Sequence, residues 1–299
     1  MRSCFQLLVC VMLASGSASA QDIVKRAKKK ADAPPAGVAV TRDVVYAKRG
    51  ERALKLDLYL PEKLGDEKLP VVAWIHGGGW SKGSKDRTPA AYLAAEGFAV
   101  ASVEYRLTGE AIWPAQIDDC RDAIRFLRSH AGDYGLDADK IGVWGGSAGG
   151  HLVALLGTLD VPTDEAVSSR VQAVCDWYGP SDLLTTPSNT PGPGKTDADL
   201  AKSNGALLLG GIVRDRPKLA MEASAFHQVS KDDAPFLIMH GDADPQVPLE
   251  QSTKLYEKLK ATGVPVTYEV LKGAGHGGPA FLTDDVKRKV REFFAKHLK

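Results

Sequence analysis

Two kinds of apolar pattern run along this chain, and they meet near residue 70. Residues 44–46 and 54–60 alternate apolar with polar around Arg49-Gly50-Glu51, which predicts an antiparallel hairpin with one solvated face. Beyond it, residues 71–75, 99–103, 141–144, 171–175, 236–239 and 266–270 are short apolar runs without alternation. Strands buried on both faces of a parallel sheet have this character. Helical segments are expected between and after them, over 90–95, 115–130, 150–158, 249–261 and 286–298. In the second of these, Ile117, Cys120, Ile124, Leu127 and Arg128 recur at helical spacing, so one stripe can pack on a sheet. The alternation predicts a mostly parallel α/β sheet with helices on both faces and an N-terminal antiparallel hairpin, in one domain over 40–299.

Residues 181–233 break that alternation. They carry a Thr/Pro/Gly-rich run over 185–194, a helical segment over 197–209 and then Gly210-Gly211. An irregular insertion this long is expected to form a lid, with a plain surface excursion as the alternative for 187–195.

Composition narrows the class. A chain of 299 residues with 44% hydrophobic and 25% charged residues can bury a full core without metal or disulfide staples. Residues 1–20 differ: Arg2, the apolar run 7–13 and Ala18-Ser19-Ala20 have the form of a cleavable secretory signal. The run falls short of the roughly 20 residues that span a bilayer. The expected location is therefore secreted or periplasmic, with a basic, Pro-rich linker over 21–39. Losing Arg2 takes the formal charge from +1 to 0, which gives no reason to expect nucleic acid or an anionic membrane as a partner. Cys120 and Cys175 would be the only cysteines left, either as a disulfide, which export permits, or as two buried thiols. The sequence does not indicate an oligomeric state.

The chemistry centres on Gly145-Gly146-Ser147-Ala148-Gly149, which fits G-x-S-x-G between an expected strand and an expected helix. A direct strand-to-helix turn strains the serine, and glycines two residues either side remove the Cβ atoms that would collide. Ser147 needs a base and a carboxylate behind it. His276, in the glycine-rich stretch 273–278 after the last strand, is the expected base. His151 is expected to pack on the serine's own helix. The carboxylate comes from the loop after residue 240, where spacing alone leaves Asp242 and Asp244 both open. His76-Gly77-Gly78-Gly79-Trp80 matches the loop that supplies an oxyanion hole, so the N–H groups of Gly78, Gly79 and Ala148 are the candidate donors. No pair of histidines or cysteines has metal-ligand spacing, and neither H-E-x-x-H nor a phosphate-binding G-x-x-x-x-G-K-[ST] occurs. No metal and no cofactor are expected.

Over nearly all of 40–299 these motifs resemble the α/β-hydrolase superfamily, with the triad in the order Ser147, Asp244, His276. HGGGW, the stretch from Tyr105 to Thr158 and HGDADPQVP look like the secreted bifunctional feruloyl and acetyl xylan esterases. That resemblance implies an ester substrate, acetyl or feruloyl groups on plant cell-wall xylan or similar small esters. It also places the acid on Asp244 through the pattern H-G-x-x-D-x-x-V-P, leaving Asp242 as a turn former. The chain is similar to hormone-sensitive-lipase-like carboxylesterases as well, but has Gly146 where they usually carry Asp and Gly277 where many carry an aromatic. Those departures speak against a lipid-like acyl preference. A peptidase of prolyl-oligopeptidase type shares the triad but carries a large extra domain, for which 299 residues leave no room. A catalytically silent carbohydrate-binding or adhesion protein on the same fold would be expected to have lost a triad member.

Overall fold

Among the described residues the apolar runs become eight strands: β1 Val38–Arg49, β2 Arg52–Pro61, β3 Leu69–Ile75, β4 Ala99–Val103, β5 Leu136–Gly146, β6 Ala173–Trp177, β7 Phe236–Gly241 and β8 Val266–Leu271. They form one sheet in the order β1-β2-β4-β3-β5-β6-β7-β8. β1 with β2 and β2 with β4 are antiparallel, and every other neighbouring pair is parallel. The structure, a computed structural model, describes residues 33–63, 65, 67–160 and 166–299. The expected signal and most of the linker lie outside the described residues.

Alternation along each strand divides the core between two faces. On one, Val71, Ala73, Ile75, Val143 and Ile238 pack beneath three helices, α1 Ala115–Ser129, α3 Ala148–Thr158 and α8 Leu249–Thr262. A short α2, Ala131–Tyr134, follows α1. On the other face Val72, Trp74, Trp144, Trp177 and Met239 pack beneath the 3₁₀ helix Pro89–Glu96 and the final helix α9, Asp284–Leu298. The indoles of Trp74 and Trp144 meet edge-on at 5.4 Å, and those of Trp144 and Trp177 at 4.7 Å. α9 buries Val286, Val290, Phe294 and Leu298 along one side. Burying each such side chain is worth roughly 1.5–3 kcal/mol of transfer free energy. Thr283 caps α9, acids occupy its first turn and Lys296 and His297 its last, the arrangement that suits the helix dipole.

Several expectations change. Cys120 packs in the cluster under α1 and Cys175 in the cluster on the opposite face; both are free thiols, because the sheet itself separates them. Only β1, the edge strand, keeps an exposed face: β2 lies inside the sheet, and its Asp57 is buried against Arg42 at 2.7 Å and Lys85 at 2.6 Å. β8 is an edge strand and only half-buried. Residues 171–175 do not form a strand as a unit; β6 begins at Ala173 and ends at Trp177, the register set by pairing Gly142 with Ala173 and Gly146 with Trp177. Arg128 leaves the α1 stripe to donate to Ala138 and Arg170 carbonyls. Residues 90–95 wind as 3₁₀ turns instead of an α-helix. The 181–233 insertion holds four short helices, α4 Asp197–Leu200, α5 Asn204–Leu209, α6 Pro217–Glu222 and α7 Ala225–Gln228. The expected segment 197–209 is thus split, because Ser203 starts a new helix by accepting from the Ala206 N–H.

Candidate active site

The ends of β3, β5, β6, β7 and β8 that point the same way carry every residue of the site, as expected for ligands at the carboxyl edge of a parallel sheet. Ser147 sits between β5 and α3 with φ 57° and ψ −120°, a strained conformation for a side chain bearing a Cβ. Its neighbours explain how the strain is held. A Cβ on Gly145 would lie 2.4 Å from the Gly149 carbonyl, and one on Gly149 would lie 2.0 Å from the Ile75 oxygen. Only glycine permits strand and helix to approach this closely. The Ser147 N–H donates to Trp177 O at 2.8 Å, and its carbonyl accepts from the His151 N–H at 2.9 Å.

The loop after β8 brings His276 over this turn, with Nε2 2.7 Å from Ser147 Oγ and Nδ1 2.6 Å from Asp244 Oδ2. Asp244 Oδ1 accepts the N–H groups of Gln246 at 2.8 Å and Val247 at 3.0 Å, which fixes the carboxylate plane. Burial alone would raise the Asp244 pKa, but hydrogen bonds from His240 and His276 and from those two N–H groups hold it well below the usual carboxylate range. Asp242 points elsewhere: it accepts the Gly273 N–H at 2.6 Å and pairs with Lys272 at 3.1 Å. Its main partners lie on the neighbouring loop, with a smaller contribution from its own backbone N–H, as a turn former would have.

His240 contributes more than the end of a strand. Its buried ring lies with Nε2 2.9 Å from Val247 O and 3.2 Å from Asp244 Oδ2, and Nδ1 2.7 Å from Ser252 Oγ. Two oxygens without hydrogens face Nε2, so Nε2 carries the proton and Nδ1 accepts from the serine hydroxyl. Asp244 Oδ2 is therefore held from both sides by imidazole. The opening His of H-G-x-x-D was the available sequence signal for this role.

Loop 76–80 follows β3. His76 is buried, stacked on Tyr105 at 4.3 Å, with its pKa lowered to about 4 by burial; as a neutral ring it donates from Nδ1 to Gly77 O at 2.8 Å. Trp80 donates from Nε1 to His151 Nδ1 at 3.2 Å, which leaves His151 Nε2 to donate to Ala223 O at 2.7 Å. His151 is fully buried and burial lowers its pKa to about 4 as well. One neutral imidazole thus ties the glycine loop, the serine's helix and the 181–233 insertion together. Gly78, Gly79, Ala148, Ser147 and His276 all line one cleft of about 310 Å³. Ala148 is the first residue of α3, where a backbone N–H has no intrahelical acceptor and the helix dipole is positive.

The individual side chains in the rest of the cleft were not legible as a site. Tyr178, at the end of β6, stands 4.8 Å from the His276 ring, and burial pushes its pKa up to about 12. A Cβ on Gly277 would come within 2.9 Å of the Tyr178 hydroxyl, so Tyr178 occupies the space that a side chain after His276 would need. The insertion supplies Thr186, Ser188, Asn189 and Asn204 to the facing wall, and Lys82 lies at the rim of the glycine loop. Among the described residues no group of three His, Cys, Asp or Glu side chains converges as metal ligands.

This sheet, with a serine on the β5–α3 turn and a histidine and an aspartate on the loops after β8 and β7, is the α/β-hydrolase fold. The BD-FAE profile matches residues 56–259, and the chain belongs to the BD-FAE family. A solved structure of a truncated carbohydrate esterase from gut microbiota superposes with a TM-score of 0.76 at 32% identity, covering 91% of this chain and 98% of that one. The thermophilic esterase Est2 of Thermogutta terrifontis superposes with a TM-score of 0.70 at 27% identity, over 87% and 92% of the two chains. Esterase LipC of Mycobacterium tuberculosis is 32% identical over 246 residues, which is 79% of this chain and 59% of LipC. The match spans under three fifths of the length of LipC and of its fellow relatives LipQ and LipM.

Proposed function

We propose that the protein is an exported serine carboxylesterase that removes short acyl groups, acetyl or feruloyl, from a hydroxylated carrier such as xylan. The observation that carries this reading is the continuous chain of hydrogen bonds Ser147 Oγ, His276, Asp244 at 2.7 and 2.6 Å beside the glycine loop. As Ser147 Oγ attacks the ester carbonyl, its proton passes to His276 Nε2; Asp244 holds the ring's orientation and stabilises the imidazolium. The N–H groups of Gly78, Gly79 and Ala148 face the oxygen that becomes negative, a contribution typically worth ~2.7–4 kcal/mol of barrier per donor. The carbon–oxygen bond to the alcohol then breaks, and His276 returns its proton to the departing alkoxide. Water repeats the sequence on the acyl-enzyme, releasing the acid and restoring Ser147.

The relatives support an ester substrate, since the similar proteins named above are esterases, one of them a carbohydrate esterase. Est2 is also known with butyrate bound, which fits a short acyl chain in a cleft of this kind. The polar side chains of Thr186, Ser188, Asn189 and Asn204 suit a hydroxylated alcohol better than a lipid tail. Acetate release from acetylated xylan, and ferulate release from methyl ferulate, test the substrate. Turnover of p-nitrophenyl acetate with no release from either would reject the carbohydrate part of the reading.

A further inference from the structure

Among the described residues that line the cleft, Lys82 is the one ammonium, and no Asp or Glu stands with it there. The side chain is exposed, and among the described residues no carboxylate pairs with it. Its neighbour Lys85 makes the contrast, being buried and tied to Asp57 at 2.6 Å and Asp43 at 3.0 Å. Lys82 is nevertheless held in place by its backbone. The N–H groups of Ser81 and Lys82 both donate to Gly78 O, at 3.2 and 3.1 Å, folding the chain back on the glycine loop. A Cβ on Gly78 would sit 2.1 Å from Lys82 O and 3.1 Å from its Cγ, so the lysine stem lies against one of the candidate oxyanion donors. The carboxylate nearest the chemistry, Asp244, has an inaccessible side chain and is already engaged by two imidazoles. A cation lining the cleft with no carboxylate to neutralise it, its backbone anchored on the glycine loop and neutral polar side chains on the insertion side, is an electrostatic filter on what enters.

The geometry points to Lys82 as the determinant of a preference for esters that carry a carboxylate close to the scissile bond: an acylated uronic acid on the alcohol side, or a dicarboxylic half-ester on the acyl side. The inference rests on the esterase reading above and narrows its substrate class. An exposed ion pair contributes on the order of 1 kcal/mol, so the expected discrimination is roughly fivefold in kcat/KM, weakened by salt.

The test uses the mature protein with Lys82→Gln and Lys82→Arg, on two matched pairs. p-Nitrophenyl hemisuccinate against p-nitrophenyl valerate reads the acyl side, and an acetylated methyl glucuronoside against the acetylated methyl glucoside reads the alcohol side. In one pair, the wild-type ratio of anionic to neutral kcat/KM should fall about fivefold in Lys82→Gln, survive in Lys82→Arg and shrink with added salt. Ratios unchanged by Lys82→Gln in both pairs overturn the inference. So does an equal loss on charged and neutral esters, which would make the lysine part of the general machinery. A wild type that cleaves none of the four overturns the esterase reading itself, and this one with it.

Discussion

The serine's turn and the wall facing it are built in opposite ways. On the sheet side, backbone meets backbone: Gly145 and Gly149 touch carbonyl groups at distances no Cβ would tolerate, so few sequences can make the turn. On the insertion side, four short helices of four to six residues present side chains through irregular loops. Many sequences could make such a wall. We propose that the framework carries the chemistry, and the insertion together with Lys82 on the glycine loop the selectivity, a division that can be broken at either end or at the join.

The largest effect is expected within the framework's loops. Asp244→Asn should lower kcat by about 10⁴, because the amide no longer sets the His276 tautomer, whereas Asp242→Asn should keep most activity. Steady-state kinetics on p-nitrophenyl acetate would decide, and a reversal would move the acid to Asp242. Next comes the turn. Gly149→Ala forces a methyl onto the Ile75 carbonyl and should cost about 3 kcal/mol or fail to fold, whereas Gly132→Ala, with open space around it, should be neutral or slightly stabilising. Urea denaturation of the two variants tests whether the glycine pattern is steric; equal midpoints would refute it.

The smallest effect is expected at the join, where His151 links Trp80 to Ala223. His151 has a pKa near 4 when folded, below the ordinary 6.5 of the unfolded chain. Its contribution is therefore complete above pH 6.5 and is lost as pH falls toward 4, by roughly 2–3 kcal/mol. His76 acts in the same direction. Asp176 opposes them: burial raises its carboxyl to about 6, so acidification favours the fold through that group. The difference between wild type and a His151 variant isolates one contribution from the others. Between pH 7.5 and 4.5, His151→Gln should lose roughly 2–3 kcal/mol less stability than wild type. Parallel pH profiles would show that this imidazole is not held neutral.

The same contrast explains what could be read from the sequence. Parallel strands, the glycine-flanked serine and the histidine after the last strand were legible because each follows from a local backbone requirement. Tyr178, Lys82 and Asn204 were not, because their part depends on which loops the topology brings together. The choice between a disulfide and two buried thiols stayed open in the sequence for a related reason: counting cysteines gives no information on which face of the sheet each occupies, and Cys120 and Cys175, both free and buried, occupy opposite ones. Only on β2 did the expected solvated face fail, because Asp57 was read without Arg42 and Lys85, which pair with it in its buried position.

The central claim is that Ser147 is the nucleophile of an acyl-enzyme. Est2, similar over most of its length, is known phosphorylated by paraoxon. Incubating this protein with paraoxon and mapping the adduct by peptide mass spectrometry is the most direct test. A single diethylphosphoryl group on Ser147, with parallel loss of esterase activity and no adduct in Ser147→Ala, is the expected result. Ester hydrolysis that persists in Ser147→Ala, or an adduct on another residue that abolishes activity, would contradict it.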